Sequence, residues 1–275
     1  MKLRICAITA LACAPFLLPH SAKATVLSTW SWSDTSGGIP VAGNVVFSTQ
    51  QDGVGYDLVI DLTNTATADP TSTAQLLTGL YFDISASPGG LAMKSAVAVN
   101  GLLNNPAFPN TPASGTAGTN ICAPNGAEQA PDPAAGCTVD GGWEAAYSTP
   151  GGMGGGASAT QHWGIGTTGQ TGIFHGNDVN AFDFAIASAA VGVVNSSGGL
   201  NNDYLYTWGL GEFVLSGLTS EDIVIQNVTA AYGTAPEGTP AAQQELPPDS
   251  LPEPGTFVAL GSGLLMLAVR RLRRK

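Results

Sequence analysis

The sequence comprises 275 residues, 44% hydrophobic and 11% charged, enough for one sizeable core, and its 36 Gly and 18 Pro suit a turn-rich β protein better than a helical one. All 20 acidic residues fall between Asp34 and Glu253, where Lys94 is the lone base; the other Lys and Arg sit at the two ends of the chain. That imbalance excludes nucleic acid as a partner, because phosphate binding needs clustered Lys and Arg, and favours multivalent cations or cationic surfaces instead.

Residues 1–24 have the three parts of a secretory signal. Lys2 and Arg4 are basic, Ile5 to Leu18 form an apolar run too short to span a bilayer, and Ala22-Lys23-Ala24 is a small-x-small cleavage site. Cleavage after Ala24 makes Thr25 the first residue of the mature chain.

Residues 25–233 show no internal repeat and are expected to form one domain. In Tyr56–Thr63 the residues Tyr56, Leu58, Ile60 and Leu62 fall on one face, with Asp57, Asp61 and Thr63 on the other, which predicts a half-buried antiparallel strand. Its expected partner is Asn44–Gln50, across the turn Gln51-Asp52-Gly53-Val54-Gly55. Further strands are expected at Leu76–Ile84, Phe182–Ala187, Glu212–Ser216 and Ile223–Tyr232. Phe182, Phe184 and Ile186 share one face of the second of these. Many short alternating strands with Gly- and Pro-rich connections predict an all-β, antiparallel β-sandwich of jelly-roll-like type.

Cys6 and Cys13 lie in the segment to be removed, so the mature chain keeps only Cys122 and Cys137. An isolated pair in an exported chain is expected to form a disulfide rather than two free thiols, and closing that loop contributes about 3 kcal/mol through the unfolded state.

The search for chemistry gives no catalytic residue, no metal site and no cofactor. His162 and His175 lie outside any metal-binding spacing and read as loop or sheet residues; the Gly151–Gly156 run lacks the Lys-Ser/Thr ending of a phosphate loop. Asp140 and Glu144 flank Trp143 as a glycosidase pair would, yet Asp140-Gly141-Gly142 reads as a turn and Glu144 as the start of a strand. Scattered acids offer oxygen ligands for Ca²⁺ but no Asp-x-Asp-x-Asp loop, so solvation is the stronger reading. Trp30, Trp32, Trp143, Trp163 and Trp208 are either core or a sugar-stacking platform, Trp30 and Trp32 sharing one strand face.

Residues 234–251, with Pro236, Pro240, Pro247 and Pro248, lack apolar periodicity and read as a linker. Residues 252–275 then bring Pro252-Glu253-Pro254, an apolar run from Phe257 to Val269, and the basic cluster Arg270, Arg271, Arg273, Arg274 and Lys275. A helix from Thr256 to Val269 would be about 21 Å long, and snorkelling Arg and Lys help it reach across a roughly 30 Å hydrocarbon core with the basic end in the cytoplasm.

This order of motif, short apolar helix and basic stop closely resembles the PEP-CTERM sorting signal of Gram-negative bacteria. The resemblance implies that an exosortase, a membrane transpeptidase with a Cys nucleophile, recognises Pro252, Glu253 and Pro254 and removes the tail. The precursor would be anchored in the inner membrane, and the body then passed to the cell surface or the extracellular polysaccharide matrix. Landmarks in the body also resemble a family of exosortase-dependent surface proteins. They are Thr63-Asn64-Thr65, Leu76–Ile84, Gly164-Ile165-Gly166, Gly172-Ile173-Phe174, Phe213–Leu218 and Ala231-Tyr232-Gly233. That family implies no catalytic residues. The expectation is a non-enzymatic surface protein with a structural or adhesive role, the alternatives being a carbohydrate-binding module or a polysaccharide-active hydrolase.

Overall fold

The computed structural model describes residues 24–36, 38–67, 73–85, 90–104, 117–122, 137, 142–147, 161–167, 184–188, 190, 205–233, 238–240 and 242–244. The other residues of the expected signal peptide, including Ala22, lie outside them, as do the expected sorting motif, the apolar run and the basic cluster at the end. Among the described residues no helix is long and apolar enough to cross a membrane.

In chain order the strands are β1 (Thr25–Ser36), β2 (Ile39–Asp52), β3 (Gly55–Asn64), β4 (Leu77–Ile84), β5 (Ala92–Ala98), β6 (Leu102–Asn104), β7 (Thr119–Asn120), β8 (Trp143–Tyr147), β9 (Trp163–Thr167), β10 (Ile186–Ala187), β11 (Leu205–Trp208), β12 (Leu210–Leu218), β13 (Ile225–Tyr232), β14 (Gly238–Pro240) and β15 (Ala242–Gln244). One sheet runs β15-β1-β2-β3-β12-β5-β7; the other runs β14-β13-β4-β10-β11-β6, with β9 and then β8 also joined to β4. All pairings are antiparallel except β10 with β11 and a lone parallel bridge between Cys122 and Trp143. The chain is thus all-β among its described residues, with antiparallel sheets compatible with a sandwich.

Alternation builds the core. Along β2, Val41, Val45 and Phe47 point inward, with Ala42, Asn44 and Val46 between them partly exposed, and along β12, Phe213 and Leu215 do the same between partly exposed Glu212, Val214 and Ser216. Leu58, Ile60 and Leu62 of β3 are fully buried, as expected from the sequence. One apolar cluster takes side chains from both sheets, including Trp30 and Trp32 of β1 and Leu80 and Phe82 of β4. The β2–β3 hairpin is tighter than expected: Asp52 pairs with Gly55, and Gly53 takes the positive φ of +60°.

Several expectations need correction. The strand expected at Asn44–Gln50 extends over Ile39–Asp52. The other face of β3 is partly exposed at Asp61 and Thr63 but closed at Asp57, which is only 5% exposed and accepts a hydrogen bond from Lys94 Nζ at 2.7 Å, the same ammonium holding Asp52 at 2.8 Å. These two bonds hold the Lys94 pKa above its ordinary value, so the lone base of the body stays charged and engaged. Among the described residues of the Phe182–Ala187 segment only Ile186–Ala187 is strand, because Phe184 sits at φ +64° and breaks the pleat; Phe182 lies outside the described residues. The segment read as a linker supplies β14 and β15, which pair with β13 and β1 respectively.

The last of these differences closes one side of the molecule. β14 ends at Pro240 on the second sheet and β15 begins at Ala242 on the first, so the chain crosses between the sheets there. On the opposite side, Trp143 N–H of β8 donates to Ile121 O at 2.7 Å, just beyond β7. Two buried polar bridges join the sheets internally. Trp32 Nε1–H donates to Tyr232 Oη at 2.8 Å, and Tyr232 Oη–H donates to Ala42 O at 3.1 Å. Asn64, fully buried at the end of β3, donates through Nδ2 to Gln75 O at 3.0 Å and to Ile186 O at 2.9 Å.

Burial pushes the Tyr232 phenol well above its ordinary pKa, outweighing the Trp32 N–H, so its proton stays available to Ala42 O. Tyr232→Phe should leave the buried Trp32 N–H without its partner, Ala42 O keeping its bond from Thr65 N–H, and cost about 1–3 kcal/mol, measured by urea denaturation.

Asp61 of β3 faces Glu212 of β12 directly across the ladder. Burial and then the Glu212 charge raise its pKa, so the folded chain binds this proton more tightly than the unfolded one. The pair's stability is fullest below the ordinary carboxylate range and falls as pH rises through and above it. Asp61→Asn should therefore raise Tm at pH 7 and leave it unchanged near pH 3, a contrast that paired thermal melts would read directly.

Candidate functional site

At one end of the second sheet, four strands bring together polar and aromatic groups that are far apart in sequence. Asp83 lies near the end of β4, and the bulge in β13 between Gln226 and Thr229 lets Asn227 approach it. Asn227 sits at φ +52°, a conformation that Asn tolerates better than most residues, and its Nδ2 donates to Asp83 Oδ2 at 2.8 Å. His162 immediately precedes β9. Its backbone N–H donates to Asp83 Oδ1 at 2.8 Å, and its ring Nδ1 lies at the same distance from that oxygen. A carboxylate in that place fixes the ring proton on Nδ1 and turns Nε2 to the other side of the imidazole.

Desolvation works to raise the Asp83 pKa, but the hydrogen bonds from Asn227 and from the ring and backbone of His162, with the His162 charge, outweigh it. Its carboxyl is held below the usual range and stays ionised. Gln161 backs the arrangement: its Nε2 donates to Asn227 O at 2.8 Å and to Thr229 Oγ1 at 3.0 Å, while its buried Oε1 has no partner.

Tyr147, the last residue of β8, borders this network with 40% of its surface exposed. Its ring packs against buried Trp163 at a centroid distance of 4.8 Å and runs near-parallel to the His162 ring at 6.3 Å. The cross-strand pair Tyr147–Trp163 sets that position, and Trp163 in turn pairs with Phe82 of β4. The result is an exposed aromatic ring beside hydrogen-bonding groups fixed by sheet structure, an arrangement suited to recognition.

The residues singled out in the sequence fare differently. Cys122 and Cys137 are joined in a disulfide, with Cα atoms 4.5 Å apart, that packs against the backbone of Met93 and Lys94. Trp30, Trp32, Trp143 and Trp163 are all buried, and Trp143 Nε1–H is satisfied by Phe184 O at 2.8 Å; Trp208 alone of the five is exposed, at 38%. Trp30 and Trp32 share their face as expected, but it is the core face. Glu144 is buried within β8, while Asp140 and His175 lie outside the described residues. No group of three or more His, Cys, Asp or Glu able to hold a metal ion occurs among the described residues. Of the cluster itself, only His162 drew notice in the sequence. Asp83 sat inside an expected strand, and Tyr147, Gln161 and Asn227 carried no motif.

No protein-family model, no curated protein and no solved structure matches the chain.

The lowered Asp83 pKa means that its bonds contribute stability above the unfolded carboxylate value, stability that is lost as pH falls through the folded one. Asp83→Asn should destabilise the protein at pH 7 and flatten part of the loss of Tm between pH 4 and pH 2. An unchanged acid limb in the variant would show that Asp83 is not a determinant of that loss.

Proposed function

We propose that this chain is an exported cell-surface or extracellular-matrix protein of a Gram-negative bacterium, sorted by an exosortase through its C-terminal tail and non-enzymatic in its role. The observation that carries the reading is the order Pro252-Glu253-Pro254, Phe257 to Val269, then Arg270 to Lys275. Two features of the body support it. β1 begins at Thr25, the first residue after the expected signal cleavage, and the Cys122–Cys137 disulfide suits an oxidising compartment. We take the two sheets and their common core as a sandwich of jelly-roll-like type serving a structural or adhesive role.

A second reading, a carbohydrate-binding module, is favoured by Tyr147 and its hydrogen-bonding neighbours. The hydrolase reading is weaker, because it needs two convergent carboxylates, and both oxygens of Asp83 are already committed to His162 and Asn227.

Sorting predicts a specific chain end. Mass spectrometry of the mature protein from its host should find a C-terminus near Pro252–Gly255, with any added mass reporting the attached group. Retention of Lys275 would make the tail an ordinary anchor and remove the sorting claim.

A further inference from the structure

We propose that the Tyr147 cluster is a binding subsite for an uncharged glycan, with the Tyr147 ring as its stacking face and His162 and Asn227 as its polar contacts. The proposal rests on the carbohydrate-binding reading and adds to it a place and a ligand class.

The place follows from geometry. A pyranose presents a patch of C–H groups on one face and hydroxyls around its edge, so it is recognised by an aromatic face next to planar hydrogen-bonding side chains. Tyr147 supplies an exposed face whose orientation is held by Trp163 at 4.8 Å. His162 is held by Asp83 through Nδ1, which leaves Nε2 for a ligand hydroxyl. Asn227, exposed on β13, is pinned by Asp83 through its side chain and by Gln161 through its backbone carbonyl. Because strands and a bulge fix these groups, little freedom is lost when a ligand binds. Among the described residues the other exposed aromatic is Trp208, on β11, which connects to β9 only through β10 and β4.

The ligand class follows from charge. All 20 acids lie between Asp34 and Glu253, and the one base among them, Lys94, is held by Asp52 and Asp57 at 2.8 and 2.7 Å. A uronate or sulfated polymer approaching this body meets repulsion and no free ammonium or guanidinium between those positions. An amino sugar fits no better at the cluster itself. Its one carboxylate, Asp83, already accepts from His162 and Asn227 through both oxygens. What remains on offer is an aromatic face and neutral hydrogen bonds, the complement of an uncharged sugar chain.

The test titrates the mature protein at pH 7 with EDTA present, using cellohexaose, N-acetylchitohexaose and maltohexaose as uncharged probes, alginate hexamer as the anionic one and glucosamine hexamer as the cationic one. Trp163 beside Tyr147 makes intrinsic fluorescence a local reporter, and calorimetry checks it. At least one uncharged probe should bind saturably. Tyr147→Ala should weaken it by roughly tenfold or more, Tyr147→Phe should retain most of the affinity, and Trp208→Ala should change nothing. Unchanged thermal melts establish that each variant folds. Tighter binding of the alginate or glucosamine hexamer, still lost in Tyr147→Ala, would overturn the ligand class and leave the carbohydrate-binding reading standing. Binding that survives Tyr147→Ala or vanishes in Trp208→Ala would overturn the site, and silence of all five probes would overturn both.

Discussion

The contact between Trp32 and Tyr232 sets the terms for the rest of the molecule. It joins β1 of one sheet to β13 of the other through a buried N–H···O bond of 2.8 Å, and the same phenol continues to Ala42 O on β2. The indole can lie there only because its cross-strand neighbour is Gly43. A Cβ on Gly43 would overlap Trp32 Cζ2 and come within 2.7 Å of Thr63 O. An indole over a bare strand also covers backbone that would otherwise face the core without a side chain. The sheet spacing, the inward face of β1 and the position of β13 are thereby set together, and β13 is the strand that carries Asn227 to Asp83.

Electrostatics imposes a second constraint. With one base among 20 acids, the body has almost no ion pairs with which to neutralise itself. Its one Lys is used where the desolvation cost is greatest, at Asp57, which is nearly buried, and holds Asp52 with the same ammonium. Asp61 and Glu212 remain opposed as like charges on the outer face of the same sheet. A surface of this kind repels its own copies and stays soluble, at some cost in stability. It also restricts partners, since recognition at neutral pH must proceed through apolar faces and neutral hydrogen bonds or through cations brought from outside.

How much of this was legible in the sequence depends on the physical signal involved. The all-β class, the β2–β3 hairpin and the inward face of β3 follow from period-two alternation and turn chemistry, which are local. The disulfide follows from counting cysteines. β4 is buried over most of its length on both faces, so its apolar run showed a strand without showing which side carried Asp83. The strand break at Phe184 and the bulge at Asn227 are backbone conformations that the neighbouring sequence does not advertise. The candidate site is the least legible part, because Asp83, Tyr147, His162 and Asn227 meet only once β8, β9, β4 and β13 are laid side by side. The Pro-rich segment misled for a related reason. It has no apolar period because its two strands are three residues each, too short to show one, and their pairing depends on edges supplied by β13 and β1.

Those two strands also bear on how a sorting tail would work. β15 ends at Gln244, so residues 245–251 alone separate the paired edge from Pro252, a tether of at most about 25 Å when fully extended. A membrane protease acting at Pro252–Pro254 would therefore work close to the folded domain, against an acidic body that anionic lipid headgroups repel. Pro252 and Pro254 disfavour helix and favour extended backbone, which would set the motif apart from the apolar run after it. Both strands precede Pro252, so removal of a tail from that motif onward would leave β14 and β15, and the cross-sheet closure that they provide, in place.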